Sequence, residues 1–407
     1  MEKRKVNFSR PFINNDVIKE VNDVFSNTGW LTSGPKVFEL ENKIKKINST
    51  KSVICVNSWT SGAMLMLRWF NVSYGDEVII PSYTYSATAL CVMNLGAIPV
   101  MVDVKDDFTI DTRDLINKIN YKTKVIIPVD IAGLPCDYDS INNIVKEQKV
   151  KKFFVPNGKN QKKLGRILII GDCAHSLGAI YKNKPIGKAT DLSIFSFHSV
   201  KNITTGEGGA ISLNLPLQFD HNFEFKFLKA LSLNGQTKSA FEKNKAGSWR
   251  YDIIDQGMKI NMPDICAAVG LAQIKVYLKD LLPERKKIFN TYSDFFKDKP
   301  WALIPIGSDT KRESSYHLYM LRINNIDEKQ RDLMINYLSD KKIGVNVHYI
   351  PMPMLTLFKN KGYNIKDYPN TYKLYSNEIS LPIYNGLSKE DIFQVCEMVE
   401  EAYLNLN

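Results

Sequence analysis

No stretch of this sequence carries the roughly 20 consecutive apolar residues that a membrane-spanning helix requires. The charged opening MEKRKVNFSRPFINND also has no apolar segment behind it, which excludes the pattern of a cleavable secretory signal. The expectation is a soluble, cytoplasmic protein without a membrane partner. Cysteine is sparse and scattered (Cys55, Cys91, Cys136, Cys173, Cys266 and Cys396) and forms no CxxC pair. Neither a zinc ribbon nor a disulfide framework is signalled, so packed, reduced thiols and no metal site are expected. Lys and Arg outnumber Asp and Glu by 54 to 43, for a net charge of +11. That excess is compatible with a nucleic-acid partner, an anionic small substrate or nothing specific. No RNP-type aromatic box or paired Cys/His spacing accompanies it, so no nucleic-acid partner is expected. The densest basic stretch, IVKEQKVKKFFVPNGKNQKKLGR, reads as a solvated helix end and loop around a PNG turn. Internal repeats and low-complexity tracts are missing too.

What is present suits a folded enzyme-sized chain. Hydrophobic residues make up 44% and aromatics 11% of 407 residues, enough for one large domain plus a smaller one, or two medium ones. VIKEVNDVFS and VFELENKIKKI space apolar residues three and four apart, as amphipathic helices do. SVICVN reads as a strand that runs into SWTSGAMLMLRWF, a turn and a helix N-terminus. DEVIIPS, IPVMVDV, KVIIPVDIAG, ILIIGDCAH, LSIFSFH and AISLN are short, apolar and bounded by turn residues. Such strands, separated by helical spacers, predict an α/β fold with a mostly parallel sheet flanked by helices. YKNKPIG reads as a hairpin-like turn. From about residue 286 the pattern changes: ERKKIFNTYSDFFKD is a long helix, HLYMLRI and GVNVHYIP are strands, and KEDIFQVCEMVEEAYLNL is a closing helix. We therefore expect a large domain over 1–285, which includes the N-terminal segment, and a smaller α+β domain over 286–407.

Ligands of open α/β sheets bind at the carboxyl ends of strands, so polar residues directly after apolar runs are the candidates. NSWTSG offers hydroxyls and a helix N-terminus to a phosphate, though Ser and Thr there also serve as plain caps. Tyr83 and Tyr85 follow DEVII, where an aromatic either stacks on a planar cofactor or belongs to the core. Asp172 ends ILIIGD; a carboxylate there is costly to bury unless paired, and a capping aspartate is the competing reading. Lys201 follows IFSFHSV and precedes TTGEGG. Most lysines are surface residues, but one held at this strand end is partly desolvated, which lowers its pKa and frees its amine to attack a carbonyl. An imine-forming lysine, an acid for a ring nitrogen and a phosphate cup are what pyridoxal phosphate needs.

The motifs GDCAHSLGA, DLSIFSFHSVKNITTGEGG and GMKINMPDICAAVGLAQI resemble those of the DegT/StrS-type sugar-nucleotide aminotransferases, pyridoxal 5'-phosphate enzymes of the aspartate-aminotransferase fold (fold type I). The resemblance runs from TSGPKVFELE to SLPIYNGL. It implies that Lys201 forms the Schiff base, that Asp172 pairs with the pyridinium nitrogen, and that both are catalytic. It further implies His175 near the ring hydroxyl, Tyr85 on the ring face, and Thr60, Ser61 and Ser196 in the phosphate cup. Lys259 and Asn261 would be lent to the neighbouring subunit of a homodimer, and His348 would turn toward the sugar. The implied reaction moves an amino group from L-glutamate, leaving 2-oxoglutarate, to a nucleotide-linked keto-sugar, at C4 of a 4-keto-6-deoxy hexose, in surface polysaccharide or lipopolysaccharide synthesis. Amination at C3 is the nearest rival. Dehydratase relatives carry histidine in place of the lysine, and Lys201 argues against that activity. A non-catalytic basic binding protein would leave Lys201, Asp172 and Tyr85 unexplained as a set. Two departures stand out. Trp59 occupies a position where the family has glycine, and Gly171 one where it has glutamate. FFVPNGKNQKKLGR lengthens the connection before Asp172, and a surface hairpin without a chemical role is expected there.

Overall fold

The computed structural model describes residues 4–406; the first three residues and the last, which the expected 1–285 and 286–407 segments include, lie outside the described residues. The strands of the first part are β1 (Ser52–Val56), β2 (Glu77–Pro81), β3 (Ile98–Val102), β4 (Thr123–Ile126), β5 (Leu168–Asp172), β6 (Ile180–Tyr181), β7 (Lys184–Pro185), β8 (Leu192–Ser196) and β9 (Gly209–Leu213). Seven of them make one sheet in the order β1-β9-β8-β5-β4-β2-β3. β9 runs against both of its neighbours, and the other pairs are parallel. The sheet is thus mixed but mostly parallel, and helices flank it. β4 and β5 are buried along their whole length, which is why they read as unbroken apolar runs.

β6 and β7 form the hairpin expected at YKNKPIG. Lys182 and Asn183 both take left-handed backbone angles (φ 48° and 60°), as a two-residue turn matched to strand twist requires. The second part adds β10 (Ala302–Leu303), β11 (Arg312–Glu313), β12 (Tyr319–Ile323) and β13 (Glu378–Leu381). β10, β12 and β13 form an antiparallel sheet, while β11 joins β6. Tyr292, Tyr319, Ile379 and Val395 belong to a separate core there, which Val6 also enters. Residue 286 falls inside the helix Leu282–Phe296. A third apolar cluster joins Tyr83, Val129 and Ile131 to Leu318, Met320 and Leu374 across the seam between the parts.

Two expectations need correction. GVNVHYIP makes no strand; only the isolated bridge of Asn346 to Ser380 forms in it. The N–H groups of Val347 and His348 go to the side chains of Asn346 (2.8 Å) and Glu378 (3.0 Å), so side chains take donors a ladder would use. FFVPNGKNQKKLGR is no hairpin; its ends lie in two short helices, Gln148–Phe153 and Lys159–Leu164. The buried Gln161 amide donates to Phe70 O and accepts from Asn157 N–H, each at 2.8 Å, and so folds the segment back on the chain. Among the described residues no helix is long and apolar enough to cross a membrane.

Candidate active site

Asp172 and Ser196 are the last residues of the adjacent strands β5 and β8, so the sheet delivers both to one edge. Lys201 follows in a tight loop. Asn202 anchors that loop by donating to Ser315 O at 2.8 Å and pairing its carbonyl with His317 Nδ1 at 2.8 Å, and Gln273 brackets Thr204 from the other side. Gly206 takes φ 77° as the chain turns back. At Gly209 a Cβ would lie 2.8 Å from both Phe195 O and Trp59 N, so only glycine lets β9 pass this close to the helix start.

A cavity of about 440 Å³ opens at this edge, lined by Thr60, Tyr85, Asp172, His175, Ser196, Lys201 and His348 among others. Seven of the expected residues are therefore brought together. Ser61 is not in the lining; its hydroxyl lies 2.7 Å from that of Ser58, and Ser58, the helix cap, faces the cavity in its place. The helix Trp59–Trp69 points its N-terminus at the cavity, and first-turn N–H groups have no partner inside a helix. Trp59 also lines it, and its buried indole N–H has no hydrogen-bond partner among the described residues. Lys259 and Asn261 lie elsewhere, around a small pocket with Ser33 and Gln236; Asn261 donates to the Ser33 hydroxyl at 2.7 Å.

The proton states follow from burial. Asp172 is 4% exposed, and desolvation pushes its pKa up to about 7 despite donors from Ala174 N–H (3.2 Å) and the Thr88 hydroxyl (3.0 Å). Burial lowers Lys201 to about 8, with Asp172 opposing the shift. His175 is driven well below its ordinary value by burial and the Lys201 charge. Its Nδ1 accepts from Ala132 N–H at 3.2 Å, so its proton sits on Nε2, 3.1 Å from the Tyr349 hydroxyl. Tyr349 in turn packs against Tyr85, with ring centroids 5.8 Å apart. A neutral aromatic wall thus faces a carboxyl and an amine whose charges are both weakened.

Sequence reasoning offered the NSWTSG hydroxyls to a phosphate without singling out Ser58, and it missed Thr88, Tyr349, Asn202 and His317. Ser58 carried a capping signal three residues before Ser61; the others carried none, because their roles arise from contacts between distant segments.

The sequence pattern of the DegT/DnrJ/EryC1/StrS aminotransferase family matches residues 11–154 and 160–400. The chain belongs to that family. The break at 155–159 falls inside the lengthened connection. A putative sugar aminotransferase of Streptococcus pneumoniae, solved with pyridoxamine phosphate, is 40% identical with a TM-score of 0.94, covering 99% of this chain and 100% of that one. Its pyridoxal phosphate form superposes with a TM-score of 0.93 at 39% identity, covering 99% of this chain and 100% of that one. Spore coat polysaccharide biosynthesis protein SpsC of Bacillus subtilis is 33% identical, covering 97% of this chain and 96% of that one. UDP-4-amino-4-deoxy-L-arabinose–oxoglutarate aminotransferase of Shewanella sediminis is 30% identical, covering 97% of each.

Enzymes of the DegT/StrS family depend on pyridoxal phosphate, and the residues here fit that group. Among the described residues the weakly ionised Asp172 has no cationic partner beyond Lys201, and a protonated ring nitrogen would supply one. The helix N-terminus, the Ser58, Thr60 and Ser196 hydroxyls and the unpartnered Trp59 indole are donors suited to a phosphate. The amine of Lys201 shares the cavity with both.

Proposed function

We propose that this aminotransferase moves the amino group of L-glutamate to a nucleotide-linked keto-sugar, at C4 of a 4-keto-6-deoxy hexose, in cytoplasmic synthesis of a surface polysaccharide such as lipopolysaccharide. The observation that carries the reading is the meeting of Lys201 and Asp172 in one cavity, each held away from its ordinary proton affinity by burial. The names of the Bacillus and Shewanella relatives support polysaccharide synthesis, a UDP-linked sugar, C4 and 2-oxoglutarate as the co-product.

When bound, pyridoxal phosphate supplies an electron sink that makes a donor's α-hydrogen acidic. Ser58, Thr60, Ser196 and the helix N-terminus would hold its phosphate, and Asp172 would keep the ring nitrogen protonated. Lys201 Nζ, lowered to about 8, is unprotonated often enough near neutral pH to take the α-proton and return it. His175, whose Nε2–H faces the Tyr349 hydroxyl, would sit beside the ring hydroxyl, and Tyr85 would cover the ring. Two passes exchange oxo and amino groups: glutamate leaves as 2-oxoglutarate, and the keto-sugar leaves as an amino sugar. Lys259 and Asn261 would complete the partner's site in a homodimer.

The purified protein should show a visible band of lysine-bound cofactor that glutamate bleaches and Lys201→Ala abolishes. Incubation with UDP-, dTDP- or GDP-linked 4-keto and 3-keto sugars, read by product mass and position of the amine, then tests substrate and carbon. A colourless protein that takes up no pyridoxal phosphate would overturn the reading.

A further inference from the structure

Glu378 opens β13 with no solvent exposure, and nothing in the chemistry above uses it. Its Oε2 accepts from His348 N–H at 3.0 Å, its Oε1 accepts from the Ser380 hydroxyl, and that hydroxyl oxygen lies 2.9 Å from His348 Nδ1. His348 lines the cavity with Lys201, and its Nε2 makes no hydrogen bond among the described residues. The ring is held by stacking on Phe8 (centroids 5.3 Å, 25°) and by the edge of Tyr349 (5.0 Å).

A hydroxyl has one proton to give. With Glu378 ionised, Ser380 donates to the carboxylate and must accept from His348 Nδ1–H, which leaves Nε2 bare. With Glu378 protonated, the carboxyl donates to Ser380, Ser380 donates to Nδ1, and the imidazole proton sits on Nε2. Burial and the Lys201 charge hold His348 at about 3, so the relay changes the tautomer and not the charge. Among the described residues no arginine lines the cavity, and His348 Nε2 is one of the lining groups with no protein partner that can meet a substrate carboxylate.

We propose that Glu378 and Ser380 position the proton of His348, and that His348 Nε2–H binds a carboxylate oxygen of the amino donor only while Glu378 is protonated. A carboxylate can only accept and is repelled by a bare nitrogen. A sugar hydroxyl can give or take a proton, so the keto-sugar is indifferent to the switch. The inference rests on the proposed two-substrate reaction. Burial raises Glu378 to about 8, opposed by its donors and by Arg331. Arg331, Tyr83 and Tyr349 face Glu378 and keep one charge state through this range. His175 and His317 near the imidazole stay neutral. Lys201 also titrates near here, and a change at Glu378 leaves it in place.

The test is the 15N spectrum of histidine-labelled holoenzyme, whose five histidines allow His348 to be assigned by loss of its signals in His348→Gln. The wild type should pass from Nε2–H to Nδ1–H as pH rises through about 8. Glu378→Gln keeps Nε2–H throughout, because its amide accepts from His348 N–H and donates to Ser380. In parallel the KM for glutamate should rise about tenfold per pH unit above the transition in the wild type and stay flat in Glu378→Gln, with the KM for a UDP-linked 4-keto-6-deoxy hexose flat in both. Ser380→Ala, which breaks the relay without touching the Glu378 contact to His348 N–H, should also abolish the pH dependence. A wild-type tautomer that ignores pH, or a variant spectrum that follows the wild type, overturns the relay. Equal pH dependence of both KM values overturns the carboxylate role. The spectrum needs neither substrate, so a wrong donor or sugar would show separately as absent turnover with an intact tautomer switch.

Discussion

Replacing Asp172 with asparagine should make the cofactor-free protein more stable while stopping its chemistry. The carboxyl titrates near 3.9 in an unfolded chain and at about 7 in the fold, where burial dominates. A gap of roughly three units at about 1.36 kcal/mol each means that the ionised group costs up to about 4 kcal/mol of stability. The sign follows from the raised value: the fold holds the proton more tightly than the unfolded chain does. The cost is therefore absent below about pH 4, grows as pH rises to about 7 and is constant above. Asparagine fits the same two contacts, its carbonyl accepting from Ala174 N–H and its amide donating to the Thr88 oxygen, and brings no charge. Urea unfolding of the apoprotein should show Asp172→Asn above the wild type at about pH 7.5 and level with it near pH 4. Saturating cofactor should close the gap, because only the wild type gains an ion pair with the ring nitrogen. Apoproteins of equal stability at neutral pH, or a gap that persists in acid, would refute the argument that Asp172 is buried at a cost awaiting a cationic partner.

Thr88→Val removes one donor from the carboxylate; a hydrogen bond to a charged group is worth about 1.5–3 kcal/mol, so the Asp172 titration should move up by about one to two pH units. The pH dependence of cofactor affinity reads this shift, and Thr88→Ser should restore it; an unmoved profile in the valine variant would exclude Thr88 from tuning Asp172. Chains carrying Lys201→Ala mixed with chains carrying Lys259→Ala and Asn261→Ala should regain about a quarter of wild-type activity, since random pairing makes half the dimers mixed and each mixed dimer has one whole site. Lack of any recovery would rule out a site shared between subunits.

The strands of the large sheet were legible because parallel strands buried on both faces need continuous apolar residues, and turn residues mark their ends. Asp172 and Lys201 were legible for a related reason, since polar side chains at or just beyond the end of such a run lie at the sheet edge, whereas Ser196 was named only through the family resemblance. GVNVHYIP misled because its alternation suits a strand, while Asn346 and Glu378 capture the backbone donors that a strand would pair. The 150–166 segment misled because a polar, glycine-containing stretch permits a hairpin or short helices, and the contact of Gln161 with Phe70, far away in sequence, selects the helices.

Local pattern alone thus determined the mostly parallel α/β architecture and the appearance of an acid at one strand end and a lysine in the loop that follows its neighbour. Only the tertiary structure decided how those groups hold their protons. Thr88 reaches Asp172, Tyr349 reaches His175, and Ser380 with Glu378 reaches His348 across long stretches of chain. Burial, which moves Asp172 up and Lys201 down, is a property of everything packed around a residue, and no window of sequence contains it.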